Sequence, residues 1–126
     1  MDSILASVKK LLGLSNEYEY FDDDIIMHIN SAFSALNQLG IGSSKGFIIT
    51  DETATWEDFI PGIKEDKMRF NNVKTYVYLK VRLVFDPPSS SVVMEAIKQQ
   101  ISELEWRLQV EGDSVESWEE EIQNGI

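Results

Sequence analysis

The sequence predicts a mainly α-helical protein: a small bundle of about four helices, with a short β hairpin or strand in the middle loop and an acidic C-terminal tail. Three observations predict it. Apolar residues recur at helical spacing in four separate segments. Gly and Pro fall at the ends of those segments and rarely inside them. The chain contains no cysteine, so its 126 residues must be held by packing alone.

The first helix is expected over residues 3–12. Ser3 is placed to cap it, and Ile4, Leu5, Val8, Leu11 and Leu12 share one stripe. Gly13 is placed to end it. A polar linker, 15–20, leads to a second helix over about 23–39. Its stripe is Ile25, Ile26, Ile29, Ala32, Phe33, Leu36 and Leu39, and Gly40 is its stop. Asp22, Asp23 and Asp24 sit at the positive end of that helix dipole.

Residues 40–50 read as a glycine- and serine-rich loop leading to the apolar run Phe47-Ile48-Ile49, the expected hairpin arm (47–50). Thr55 followed by Asp58 marks a short helix start, with Trp56, Phe59 and Ile60 turned inward. Residues 63–70 are expected to be loop or a short helical turn. Over 73–85, strand-like alternation competes with helical spacing. Thirteen residues suit a helix better than a strand, and a helix this apolar belongs at the centre of a bundle. Pro87-Pro88 ends it. Ser89 to Ser91 offer caps for a last helix over about 91–110, with Met94, Ile97, Ile101, Leu104 and Leu108 as its stripe. The expected division is a helical domain, 1–110, and an acidic tail, 111–126. The tail holds six acids and no base, yet keeps Val115, Trp118 and Ile122 at i, i+3, i+7. Such a segment is expected to order on a partner.

Composition excludes several functions. Without cysteine there is no thiol nucleophile and no thiolate metal site. The sole histidine, His28, lies within the second helix, and no Gly-x-Ser-x-Gly elbow, Walker loop or GxGxxG accompanies it. The three consecutive aspartates diverge around a helix start and lack the alternation and turn glycine of a calcium loop. Glu57-Asp58 is the sort of carboxylate pair that 22 acids produce by chance. The expectation is no enzyme, no cofactor and no metal. The N-terminus lacks signal-peptide order, because Lys9 and Lys10 follow the apolar residues, and no run approaches the roughly 18 apolar residues of a membrane span.

Charge is the remaining signal. The net charge of −11 disfavours nonspecific nucleic-acid binding. It is unevenly placed. Residues 64–82 carry six bases against two acids, between two acidic ends. Lys64, Lys67 and Arg69, with Lys45 in the glycine-rich loop, are the candidate contacts to a neighbouring copy. A basic strip meeting an acidic face is a heterologous contact, the kind that builds rings.

The order of segments resembles a known family. A short amphipathic helix precedes an acidic-capped second helix, then TDETATWEDFI, then VKTYVYLKVRLVFDPP and SSVVMEAIKQQISELEWRL. This is similar to the head–tail connector (head-completion or adaptor) proteins of long-tailed bacteriophages, and the likeness spans most of the chain. Its most specific parts are 73–88 and 97–108, which are structural and not catalytic signatures. The resemblance implies a subunit of a dodecameric ring in the virion neck, assembled in the host cytoplasm. Such a ring sits beneath the portal protein, extends the DNA channel and meets another neck or tail-completion protein. Double-stranded DNA would pass through without specific binding, and no membrane is involved. The resemblance also implies that the C-terminal part reaches the portal, which makes Val115, Trp118 and Ile122 the candidate portal contacts. The Gly40–Lys45 loop is the second candidate contact. The alternative, resting on charge alone, is a small acidic protein that mimics DNA and inhibits a nucleic-acid enzyme.

Overall fold

The computed structural model describes residues 3–123, with side chains described as far as residue 110. The elements are α1 (Ile4–Leu11), α2 (Asp22–Gln38), α3 (Trp56–Phe59), a 3-10 turn (Ile63–Glu65), α4 (Lys67–Phe85) and α5 (Ser91–Gln123). The first, second, fourth and fifth α-helices form the bundle, and α3 is a single turn. α4 is its centre: it packs against α1, α2, α5 and the 3-10 turn. Val73, Tyr76, Val77, Leu79 and Val81 of α4 are all buried. The mixed strand and helix pattern over 73–85 is therefore that of a helix covered on several sides.

Local chemistry explains most boundaries. Ser3 caps α1 through its hydroxyl, which accepts from the Ala6 amide at 3.2 Å. Thr55 and Asp58 form a complete capping box: the Asp58 amide donates to Thr55 Oγ1 at 3.2 Å and the Thr55 amide donates to Asp58 Oδ2 at 2.9 Å. Glu57 accepts from the Gly62 amide at 2.6 Å and the Lys64 amide at 3.3 Å, which ties α3 to the 3-10 turn. α4 begins six residues before the expected Val73. Asp66 caps it by accepting from the Arg69 amide at 3.2 Å. Its first two residues, Lys67 and Met68, are exposed and Arg69 is half-buried, so apolar periodicity gave no sign of its start.

Among the described residues there is no sheet, which corrects the expected hairpin or strand at 47–50. The single β-bridge joins Ser3 to Thr55. The reason is a side chain that takes the place of a partner strand. Asn30 on α2 accepts from the Ile49 amide at 2.8 Å and donates to the Ile49 carbonyl at 2.9 Å. Both backbone groups of this buried residue are satisfied by one amide, so no second strand is required.

The core continues from α2 into this loop. Phe33 packs against Phe47, Phe59 and Trp56, with ring centroids 5.2, 4.5 and 6.2 Å away. Trp56 Nε1 donates to Ser7 Oγ at 3.2 Å, linking α3 to α1. Gly42 passes close to the same cluster: a Cβ there would lie 2.7 Å from Phe59 Cε1, and its φ of +90° already favours glycine.

The α5 backbone is helical to Gln123, beyond the expected end near residue 110. No proline interrupts the segment, and the one glycine, Gly112, costs only about 1 kcal/mol within a helix. Ile101, Leu108, Val115 and Ile122 stand seven residues apart, so the stripe of α5 continues in register along the sequence.

Two substitutions test this packing. Phe33→Ala should destabilise the fold by about 3–5 kcal/mol in urea unfolding. Asn30→Ala should cost about 2 kcal/mol by orphaning the Ile49 amide and carbonyl, although it removes little apolar area.

Candidate interaction surfaces

Among the described residues, no group of three or more His, Cys, Asp or Glu side chains could hold a metal ion. The carboxylates that invite a catalytic reading have structural partners. Glu57 and Asp58 are occupied as caps. Asp22 lies 2.9 Å from Lys9 Nζ. Lys9 is only 1% exposed, and its ammonium also donates to the Asn16 carbonyl at 3.0 Å. The pair fastens the end of α1 and the following loop to the start of α2. His28 is half-buried on α2. No helix is long and apolar enough to cross a membrane among the described residues.

The α4–α5 hairpin sets the geometry of the charged segments. Tyr76 on α4 donates its hydroxyl to Glu105 Oε2 on α5 at 2.7 Å. Burial, then this bond and the carboxylate charge, push the Tyr76 phenol well above the ordinary tyrosine range. Tyr76 and Glu105 fix an antiparallel register. Nine residues back along α4 is Lys67, its first residue, and nine residues on along α5 is Ser114. By that register, α5 from Val115 onward runs beyond the start of α4. Val115, Trp118 and Ile122 fall on this helical backbone, but their side chains lie outside the described residues.

The structure brings three of the four basic candidates together in sequence and space. Lys64 lies in the 3-10 turn, Lys67 is the first residue of α4, and Arg69 is half-buried one residue beyond Met68. Met68 stands 74% exposed among them. Lys45 is apart from this set. It lines a groove with Asn30, Phe33, Asn37, Phe47 and Ile48, between α2 and the loop. Further along α4, Lys74 sits over the Phe70 ring at 4.7 Å, which anchors that cation within its own helix.

One surface was not foreseen. Tyr18 and Tyr20 lie in the segment read as a polar linker, and with Phe21 just beyond it they form an aromatic group against Phe85 at the far end of α4. Phe21 meets Phe85 at 5.3 Å and Tyr20 at 4.8 Å, and Tyr18 stacks on Phe21 at 5.9 Å. Tyr20 is 81% exposed. The signal was present as three aromatic residues among four, Tyr18-Glu19-Tyr20-Phe21, in a stretch that needed none for helix formation. On α5, Trp106 is 65% exposed on the side away from the buried stripe.

A family profile described as phage connector protein matches residues 4–115. The chain belongs to that family, whose role is structural and whose place is the neck of the virion. No curated protein and no solved structure matches it.

The Tyr76–Glu105 bond carries a pH signature. A phenol whose folded-state pKa is raised favours the fold below the unfolded tyrosine pKa, near 10, and withdraws that stability as pH rises above it. Tyr76→Phe should therefore flatten the loss of stability above about pH 10, while leaving the fold less stable at neutral pH by about 1 kcal/mol. Urea midpoints across that range measure both effects.

Proposed function

We propose that this chain is a subunit of a homo-oligomeric ring, dodecameric by family resemblance, that joins the portal of a DNA-filled head to the next neck or tail-completion protein. The family match over residues 4–115 carries the reading. The charge pattern supports it. DNA must cross such a ring without being held. Carboxylates facing the channel repel phosphates and leave no binding wells, whereas a basic lining would exchange counterions and retain the duplex. With 22 acids against 11 bases, the chain has the composition for an inert lining. The basic residues Lys64, Lys67 and Arg69 are then best used against an acidic protein neighbour, and Lys45 in the Gly40–Lys45 loop against a ring neighbour or the tail side.

The α5 extension is the portal anchor in this reading. Past Ser114 the helix has run beyond α4, yet the sequence keeps Val115, Trp118 and Ile122 at helical spacing. Apolar residues on a helix without its packing partner favour an external groove, and a tryptophan buries a large area for few rotatable bonds. Residues 1–110 act as the body and 111–126 as the anchor. Assembly takes place in the host cytoplasm, and the finished ring resides in the virion neck. The chemistry is that of binding surfaces, with no catalytic step, cofactor or metal.

The test is deletion of residues 111–126. The truncated chain should unfold within about 1 kcal/mol of the full chain, because the core of the described residues runs from Ile4 to Leu108. Its affinity for purified portal protein should fall at least tenfold, and Trp118→Ala should reproduce part of that loss. Undiminished portal binding by the truncated chain would move the anchor elsewhere.

A further inference from the structure

The two ends of α4 carry different surfaces. The helix has 19 residues and so separates its ends by about 28 Å. At its start, Met68 stands exposed beside Lys64, Lys67 and Arg69. At its finish, Phe85 holds the Phe21, Tyr18 and Tyr20 group, with Val84 exposed alongside. Flanking this aromatic group in the sequence are Glu17, Glu19, Asp22, Asp23, Asp24 and Asp86, with Arg82 one turn before Phe85. The cations of the adjoining end of α1 are Lys9, which is buried against Asp22, and Lys10.

We infer that these two ends are the two halves of one subunit interface. The aromatic, acidic end of one copy receives Met68 and the basic edge of the next. This assignment rests on the ring reading above and names the surfaces that would close it. Three observations carry it. One face is acidic, and the other carries Lys64, Lys67 and Arg69 beside Glu65 and Asp66, three bases against two acids in residues 64–69, so the two faces are of opposite sign. Each has an apolar centre within a charged border, the anatomy of a protein interface. And they lie at opposite ends of one rigid helix, so a contact between copies leaves a used and an unused face at each step. That is the condition for a ring or a filament, not a closed dimer. Glu111 and Asp113 of α5 fall level with the Met68 end by the Tyr76–Glu105 register. The bases at this end come from α4 and the 3-10 turn, where Glu65 and the cap Asp66 accompany them.

The aromatic group also has the right chemistry for its neighbour. Tyrosine rings present a flat, rigid apolar area with a hydroxyl at the rim, and methionine adapts its shape to such rings and makes favourable sulfur–aromatic contacts. Lysines bordering the methionine can lie over the same rings.

The absence of cysteine makes the test clean. Asn71→Cys and Val84→Cys place single thiols beside the two faces at exposed positions and leave Met68, Lys67 and Tyr20 intact. The two variants are mixed in equal amounts, with and without purified portal protein, and treated with a short bis-maleimide. Mixed 71–84 dimers should predominate over 71–71 and 84–84 dimers, and the chain carrying both thiols should give a ladder of oligomers. Added salt should weaken the ladder. In parallel, Tyr20→Ser should raise the concentration needed for assembly at least tenfold without lowering the melting temperature, while Trp106→Ser should leave assembly unchanged. If like pairs dominate, the contact is not head-to-tail and the assignment is overturned. If wild-type particles form but neither thiol pair cross-links, or if Tyr20→Ser assembles normally, the faces are wrong while the ring reading stands. A wild-type chain that stays monomeric with and without portal overturns both.

Discussion

The structure depends on the burial of α4. This helix packs against α1, α2, α5 and the 3-10 turn. Its apolar residues do not form a single stripe. Val73, Val77 and Val81 follow one row while Tyr76 and Leu79 lie off it, and all five are buried. Two flanking helices can therefore use it at once. α2 brings Ile25, Ile29, Phe33 and Leu36 to the core, and α5 brings Ile97, Ile101, Leu104 and Leu108. At the α4–α5 seam the hydroxyl of the buried Tyr76 is matched to Glu105 and so selects the register of the hairpin.

Polar side chains complete what the short elements leave open. Asn30 satisfies both backbone groups of Ile49, Glu57 holds the amides of Gly62 and Lys64, and Lys9 joins the Asn16 carbonyl to Asp22. Each tie connects segments that are separated in the chain. The long irregular stretch between α2 and α3 is thereby held against the core by aromatic packing and one amide, without a sheet.

How much of this was legible follows from the kind of signal each part leaves. α1, α2 and the body of α5 have one-sided apolar stripes and clear stops, and their periodicity locates them. The Thr55–Asp58 capping box is a local motif and was readable as one. The start of α4 was not, because Lys67, Met68 and Arg69 face solvent or its border and carry no apolar period. The fate of Phe47-Ile48-Ile49 was not legible either: three apolar residues look alike whether their backbone partner is a strand or the amide of Asn30, nineteen positions away. The basic segment was visible from charge alone, and the structure gathers Lys64, Lys67 and Arg69 while setting Lys45 apart. The aromatic group at Tyr18–Phe21 was missed because its meaning comes from Phe85, a residue distant in sequence that no local pattern connects to it.

Together these features describe a compact helical body with different surfaces at its extremities, and a helix that runs on past the body. Membership in the phage connector family gives those surfaces a purpose: contacts with other phage head or tail proteins. The central claim is that the chain acts as one of many copies. It is tested most directly by the mass of the particle in solution, measured by light scattering with and without purified portal protein. The account predicts a ring-sized assembly, either unaided or on addition of portal. A chain that remains monomeric in the presence of portal, and instead binds a DNA-processing enzyme in competition with DNA, would contradict it.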